Sequence, residues 1–279
     1  IEDAGMFEIL ESQKNEANSQ FGKFIDKNYA NWFKPHTDAP VMSHTLFKNR
    51  IAPELSKEQP TLLIVLDNLR NAIFSGLMPS DMEKLFPKYW KNDTDEGGKN
   101  LYEAEFLESQ MKRLNLNHLE CGYHKITNLK AGKKLVENFK SLKKNDLSVI
   151  VYNFVDMLSH SKTEMEVVKE ASNDKAYRSL ALSWFKNSPL LEMIQQAQTL
   201  GFKLILTTDH GTINVKNPSK VIGDKDTSLN LRYKTGRSLT YDHKDVLFAK
   251  NPKELHLPSI TMSSSYIFAK NDLFFAYPN

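Results

Sequence analysis

Three apolar segments of the sequence each end in an aspartate, and a histidine follows two of these aspartates. The aspartates are Asp67, Asp156 and Asp209; His160 follows the second by four residues and His210 directly follows the third. Carboxylate and imidazole groups are common ligands of divalent metal ions in proteins. If the three segments are parallel strands of one sheet, their carboxyl ends meet at one edge, where such sheets bind ligands. The sequence therefore predicts a metal site at that edge.

The strongest local pattern is the pair Asp209 and His210 followed by Gly211. Two adjacent ligands cannot point the same way in a regular strand, and glycine permits a turn that brings the histidine back beside the aspartate. Asp156 and His160 are four residues apart, which places both side chains on one face of a helical turn. The alternatives are a helix cap, a solvated turn and exposed histidines.

The ligand types narrow the choice of metal ion. Oxygen and imidazole ligands favour Zn²⁺ or Mn²⁺ and disfavour Ca²⁺, which takes oxygen ligands alone. Cys121 is the single cysteine, so a thiolate zinc site is not expected and an internal disulfide is excluded. Two metal ions a few ångströms apart can stabilise the attacking and leaving oxygens of a phosphoryl transfer.

The bulk composition indicates a cytoplasmic protein with a large α/β domain. The 279 residues include 37 basic and 34 acidic side chains, and the net charge of +3 permits an anionic substrate without indicating a nucleic-acid scaffold. One cysteine fits a reducing compartment. We expect no membrane insertion, because no apolar stretch approaches the roughly 18 residues that a spanning helix needs.

The elements that must position the aspartates alternate between strands and helices. The three apolar segments show little alternation, which is typical of strands buried on both faces. We therefore predict an α/β fold with a mainly parallel central sheet and helices on both faces. Residues 1–58 are interpreted as a helical lead-in with buried aromatic side chains, and 59–279 as the main domain. Strands at 266–270 and 273–277 are predicted to form a hairpin.

The order of the ligands resembles that of the alkaline phosphatase superfamily, in which an Asp, an Asp-x-x-x-His and an Asp-His follow successive strands. Five segments resemble the PglZ branch of that superfamily: Val65-Leu-Asp-Asn-Leu-Arg70, Asn71-Ala-Ile-Phe-Ser-Gly-Leu-Met-Pro79, Tyr123-His-Lys-Ile-Thr127, Asn153-Phe-Val-Asp-Met-Leu-Ser-His160 and Thr207-Thr-Asp-His-Gly211. The whole chain is similar to the effector part of response regulators that control type IX secretion.

This resemblance implies an alkaline-phosphatase-like fold and a zinc-dependent phosphodiesterase that acts on nucleotides or oligonucleotides. Asp67, Asp209 and His210 then look like the ligands of one zinc ion, and Asp156 and His160 like those of a second. The resemblance also implies an upstream receiver domain, through which the protein would dimerise, and components of type IX secretion as partners.

Two departures from the family pattern affect the expected activity. Arg70 is joined directly to Asn71, where the family carries a long segment with a threonine nucleophile. The family also has a further histidine ligand beyond the position of Asn279. We expect the domain to be incomplete at both points because disordered residues are missing from the sequence. One alternative is a catalytically inactive module that docks nucleotides or partners of secretion or transcription, and another is a phosphomonoesterase or phosphomutase of the same superfamily.

Basic side chains that follow the Asp-His pair are candidates to bind the phosphate oxygens of a substrate. These are Arg232, Lys234 and Arg237, and a solvated basic turn is the alternative interpretation. Tyr233, Tyr241 and Tyr266 could stack on bases, as aromatic side chains do in proteins that bind single strands, and the alternative is that they belong to the core.

Overall fold

The computed structural model describes residues 4–34, 37–66, 71–91, 100–153, 174–208, 211, 213, 215–224, 227–258 and 263–276. The chain divides into two compact units, neither of which is continuous in sequence. One unit, the sheet unit, contains Val41–Leu77 and Asn100–Thr212. The other, the terminal unit, contains Ile1–Pro40, Met78–Lys99 and Ile213–Asn279.

Helices and strands alternate along most of the described chain. The helices are α1 (Ala4–Asn28), α2 (Ser43–Leu46), α3 (Asn71–Ser75), α4 (Pro79–Leu85), α5 (Glu103–Arg113), α6 (Leu129–Glu137), α7 (Asp174–Lys186) and α8 (Pro189–Thr199). The strands are β1 (Thr61–Leu66), β2 (Cys121–Ile126), β3 (Leu147–Tyr152), β4 (Lys203–Thr208), β5 (Asn217–Lys220), β6 (Tyr233–Gly236), β7 (Val246–Ala249), β8 (Ser265–Ala269) and β9 (Leu273–Ala276).

The sheet unit is built on four parallel strands in the order β2-β3-β1-β4. The central strands β1 and β3 are buried over nearly their whole length, as their uninterrupted apolar sequences predict. The expectation of burial on both faces is wrong for β4, where Leu204 is 39% and Leu206 50% exposed. The reason is topological, because β4 is at the end of this sheet and has a strand neighbour on one side only.

Helices cover both faces of this sheet. On one face, Leu62, Ile64 and Ile150 pack into a core with side chains of α6, α7 and α8. On the opposite face, the Phe74 ring of α3 lies edge-on to Tyr123 of β2, with 6.0 Å between the ring centroids. The predicted α/β fold, with a mainly parallel sheet between two helical layers, is therefore confirmed.

Local signals in the sequence set the ends of the helices in the sheet unit. The side chain of Asn128 caps α6 by accepting a hydrogen bond from the backbone N–H of Ala131 at 2.9 Å. Pro189 is the first residue of α8, a position that tolerates proline because the missing N–H would have no partner within the helix. The break between α7 and α8 thus falls directly before this proline.

The terminal unit contains two small sheets of different kinds. Strands β6, β8 and β7 form an antiparallel sheet in that order, and β5 pairs with β9 in parallel. The two predicted terminal strands exist, but the predicted hairpin between them is wrong. The turn forms with Asn271 at a φ of 48°. Both edges of β8 are already paired with β6 and β7, so β9 pairs with β5.

The N-terminal helical segment forms as predicted, and Phe47 in it is buried, but the aromatic side chains of α1 are exposed. In α1, Phe7 is 64%, Phe21 63% and Phe24 50% exposed. Among the residues that the structure describes, none of the helices is both long and apolar enough to cross a membrane.

Candidate functional site

Three strands of the sheet unit end side by side at the same edge. Leu66, the last residue of β1, is in register with Tyr152 of β3 and with Thr208 of β4. All three strands run in the same direction, so their carboxyl ends lie at one level. Two of the predicted metal ligands, Asp67 and Asp209, directly follow the ends of β1 and β4, and Asp156 follows the end of β3 by four residues.

The predicted ligands themselves lie outside the described residues. They are Asp67, Asp156, His160, Asp209 and His210. The described parts of the chain contain no group of three or more His, Cys, Asp or Glu side chains that could hold a metal ion. The ligand set therefore stays a prediction, and the structure describes only the strand ends that precede the ligands.

A hydrogen bond joins two of these strand ends. The Thr208 hydroxyl donates to the carbonyl oxygen of Leu66 at 3.1 Å. On the other side of β1, the backbone N–H of Asn153, directly after β3, donates to the carbonyl oxygen of Ile126 at the end of β2. These contacts extend the pairing of neighbouring strands to the edge of the sheet.

Tyr152 brings a phenol close to this edge, in an environment that keeps it neutral. Its side chain is buried, and its ring lies edge-on to that of Trp184, with 5.6 Å between the centroids. Burial raises the pKa of Tyr152 to about 12. At neutral pH the hydroxyl is therefore protonated, and it is a poor candidate for a general base.

The helix that follows β1 is fixed at its C-terminal end by α5. The Arg113 guanidinium donates to the carbonyl oxygen of Ser75, the last residue of α3, and to the Ser109 hydroxyl at 2.7 Å. Gly76 comes next, with a φ of +62°, and a Cβ atom there would lie 2.9 Å from the Gln110 side chain. The conformation of the turn after α3 therefore favours glycine, and a Cβ atom there would also displace the end of the Gln110 side chain.

A buried ion pair near the carboxyl end of β2 was not recognised from the sequence. Glu103, which is 1% exposed, accepts hydrogen bonds from the Tyr123 hydroxyl at 2.7 Å and from the Lys125 ammonium at 2.8 Å. The same ammonium donates to the carbonyl oxygen of Asn100 at 2.7 Å. The only available signal was that Tyr123 and Lys125 alternate along a strand and so share a face.

Register places this lysine near the candidate site. Lys125 pairs with Val151 of β3, which in turn pairs with Val65 of β1. Val65 precedes the predicted ligand Asp67 by two residues. The ammonium group is thus held in one position close to the edge, and the carboxylate of Glu103 compensates its charge.

The three basic side chains predicted to bind substrate lie in different environments of the terminal unit. Arg232 donates to the carbonyl oxygen of Leu273 in β9. Burial lowers the pKa of its guanidinium, and the nearby carboxylate of Asp272 opposes that shift. Lys234 is 1% exposed and burial lowers its pKa, whereas Arg237 is exposed. Their proposed role stays a prediction, and Arg232 also has a structural contact.

Two of the three predicted stacking tyrosines are already stacked on each other, and Tyr241 lies against His243 and Phe248 instead. The rings of Tyr233 and Tyr266 are 6.3 Å apart between centroids, and both neighbour Phe268. Tyr266 is 5% exposed, and its hydroxyl donates to the carbonyl oxygen of Pro258. Tyr266 therefore has little surface left for a base.

Two family models match the chain, and together they support the resemblance seen in the sequence. Residues 69–279 match the BREX system PglZ alkaline phosphatase-like domain. Residues 1–33 match the PorX response regulator linker domain. The first match includes every predicted site residue except Asp67, which lies two positions before it begins. No curated protein matches the chain.

Proposed function

Because the chain belongs to the PglZ family of alkaline phosphatase-like domains, we propose that it is the phosphodiesterase effector domain of a response regulator. The observation that carries this proposal is the register of β1, β3 and β4, whose last residues are level at one edge of the sheet. In parallel sheets, the crevice beyond the carboxyl ends of the strands is where ligands bind.

In the proposed site, Asp67, Asp209 and His210 hold one zinc ion, and Asp156 and His160 hold a second. This ligand set has oxygen and imidazole donors without thiolate, which suits zinc in catalytic sites. The strand order supports the grouping, because β1 and β4, which precede the ligands of the first ion, are neighbours in the sheet. Bound zinc would supply Lewis-acid stabilisation of the charge that develops on the phosphoryl oxygens.

The residues around the strand ends have supporting roles in this proposal. Lys125 presents a fixed N–H donor near the edge, where it would donate a hydrogen bond to a phosphodiester oxygen. Glu103 keeps that ammonium in place. Arg232, Lys234 and Arg237 stay candidates for contacts with the non-bridging oxygens of the substrate. We propose nucleotides or oligonucleotides as the substrate class.

The N-terminal match supports a regulatory context for this activity. Residues 1–33 match a linker domain of response regulators. We propose that a receiver domain precedes this linker, controls dimerisation and so adjusts phosphodiester hydrolysis in the cytoplasm. Components of type IX secretion are the proposed downstream partners.

The test measures zinc content and hydrolysis of a chromogenic phosphodiester by the full-length protein. Asp209→Ala removes a proposed ligand, and we expect loss of bound zinc together with a decrease in turnover of at least about 100-fold. Asp38→Ala, at an exposed aspartate of the terminal unit, is the matched control and should keep both properties. Turnover that survives Asp209→Ala would exclude this edge as the active site.

One sequence feature favours a second candidate function. Arg70 is followed directly by Asn71, so the threonine nucleophile of the family is absent from this sequence. A domain without it would bind metal and nucleotides but would not turn them over. Zinc and nucleotide binding by the full-length protein without hydrolysis of any diester would support this binding module over the enzyme.

A further inference from the structure

Six lysines concentrate positive charge on one segment of the sheet unit. The segment comprises α6 and the 3-10 turn Phe139–Lys144 that follows it. We refer to its exposed lysines as the lysine track: Lys130, Lys133, Lys134, Lys140, Lys143 and Lys144. Glu137 is the only acidic side chain in this segment. The whole chain has a net charge of +3, so the remainder of the chain is net negative.

The local conformation brings these lysines to the outer surface. Lys130, Lys133 and Lys134 are spaced by three and four residues, which places them on one face of α6. The opposite face packs inward, because Leu135 and Val136 contact the core of the sheet unit. In the 3-10 turn, Phe139 and Leu142 are buried, and the lysines between and after them are exposed.

In the described residues, the lysines of the track outnumber the nearby carboxylates and make no close ion pairs with them. None of its six lysines forms an ion pair with a carboxylate in the part of the chain that the structure describes. The positive charge of the track also affects a neighbouring histidine. Burial lowers the pKa of His124, and the charge of Lys144 lowers it further. A row of ammonium groups attracts polyanions.

The track runs from the carboxyl edge of the sheet, where the candidate site lies, to the opposite edge. α6 begins three residues after β2 ends, so Lys130 lies near the carboxyl edge of the sheet. The 3-10 turn ends before β3 begins, at the opposite edge. Nine helical residues and six 3-10 residues span about 25 Å at their usual rises. That length accommodates several nucleotides of an extended single strand.

A depression of about 390 Å³ adjoins the far part of the track. Lys140, Gln195, Gln196 and Thr199 contribute to its lining, as does the carboxylate of Glu192. Amide and hydroxyl groups beside a lysine suit hydrogen bonding to sugars and bases. An anionic membrane surface is the less favoured partner, because helices that lie on membranes direct apolar side chains outward. Here those of α6 face the core, apart from Leu129.

We infer that the lysine track is a sequence-independent binding surface for single-stranded nucleic acid and leads the strand toward the carboxyl edge of the sheet. The inference deepens the proposed function and rests on it for the identity of the substrate. It adds a contact surface outside the predicted ligand set, whose lysines neutralise backbone phosphates.

The test is fluorescence anisotropy of a labelled single strand of about 12 nucleotides, with a chelator present to prevent hydrolysis. If about four phosphates are neutralised, the affinity should fall about 50-fold between roughly 50 and 200 mM salt. The track variant Lys133→Glu/Lys140→Glu/Lys143→Glu should bind at least about tenfold more weakly and show a smaller dependence on salt. Circular dichroism verifies that each protein is folded.

A matched control distinguishes the effect of the track on affinity from the effect of net charge. Lys23→Glu/Lys57→Glu/Lys250→Glu changes the charge equally at exposed lysines outside the track and should keep the wild-type affinity. Equal losses in both variants would overturn the inference. So would binding of anionic phosphatidylserine vesicles through the track when the oligonucleotide does not bind.

The failure of this inference can be distinguished from that of the proposed function. A chromogenic diester is too small to span the track, so the track variant should hydrolyse it at the wild-type rate. If the wild-type protein does not hydrolyse the chromogenic diester, the proposed function is wrong. The anisotropy measurement still tests the track, because it detects binding and needs no turnover. If the track variant binds the oligonucleotide with wild-type affinity, the inference about the track is wrong and the proposed function is unaffected.

Discussion

The Thr208 hydroxyl and the Leu66 carbonyl oxygen are 3.1 Å apart and form a hydrogen bond between the last residues of β4 and β1. The two residues are 142 positions apart in sequence. Each is followed directly by an aspartate predicted to bind the same zinc ion, Asp209 and Asp67. The bond therefore joins the two strand ends that precede the ligands of the proposed first metal site.

We expect Thr208→Val to weaken zinc binding more than it weakens the fold. Valine keeps the β-branched shape that suits a strand but cannot donate to Leu66. The lost bond contributes about 0.5–1.5 kcal/mol to folding, whereas outer-shell changes typically cost about 10–100-fold in metal affinity. Zinc titration with a competing chelator and urea unfolding measure the two effects.

Thr199→Val is the matched control for this change. The Thr199 hydroxyl also donates to a backbone carbonyl, that of Gln195 at 2.9 Å, but within α8. Its replacement should leave zinc affinity unchanged. Equal effects of both variants on zinc affinity would show that the bond to Leu66 does not organise the site.

The Glu103 carboxylate should be among the most important polar groups for stability. Glu103→Ala leaves the Lys125 ammonium and the Tyr123 hydroxyl without their shared acceptor. Breaking a buried pair costs about 3–5 kcal/mol, and we expect the lower part of that range because Lys125 is 28% exposed. Urea unfolding of Glu108→Ala provides the comparison, since its pair with Lys112 is exposed and contributes below about 1 kcal/mol.

Local patterns predicted the strands but not their burial or their partners. The apolar sequences of β1, β3 and β4 look alike, yet only β1 and β3 are central in the sheet. Burial of a strand depends on its neighbours, which are distant in sequence. The predicted hairpin of β8 and β9 fails for the same reason, because β8 pairs with β6 and β7 instead.

The candidate site was predictable in its location but not in its supporting contacts. Aspartates after β1, β3 and β4 indicated the carboxyl edge, since parallel strands end together. The pair of Glu103 and Lys125 was not predictable, because the two residues are 22 positions apart and meet only when α5 packs over β2. The exposure of Phe21 in α1 contradicts the expectation of burial, which composition alone had suggested.

Gly76→Ala should destabilise the protein for two separable reasons. The left-handed conformation, with φ at +62°, costs about 1–2 kcal/mol for any residue with a Cβ atom. The new atom would also lie 2.9 Å from the Gln110 side chain. Gly201→Ala is the control, because Gly201 has a φ of +75° and nothing within 4 Å of an added Cβ. Denaturant unfolding should show the larger loss for Gly76→Ala, and equal losses would exclude a contribution from Gln110.

The free energy of unfolding should decrease as the pH falls because of His124. Burial, together with the charge of Lys144, lowers the pKa of His124 from its ordinary value of 6.5. The unfolded chain therefore binds this proton first. The stability that neutral His124 contributes is present above that ordinary value and is lost as the pH falls through the folded pKa.

Three variants test this dependence by urea unfolding between about pH 7 and pH 5. His124→Gln removes the titrating group and should flatten the profile. Lys144→Ala removes one of the two causes of the shift, so the decrease should become smaller, while Lys143→Ala should retain the wild-type decrease because Lys143 does not contribute to it. A wild-type profile in the His124→Gln variant would mean that carboxylates alone produce the pH dependence.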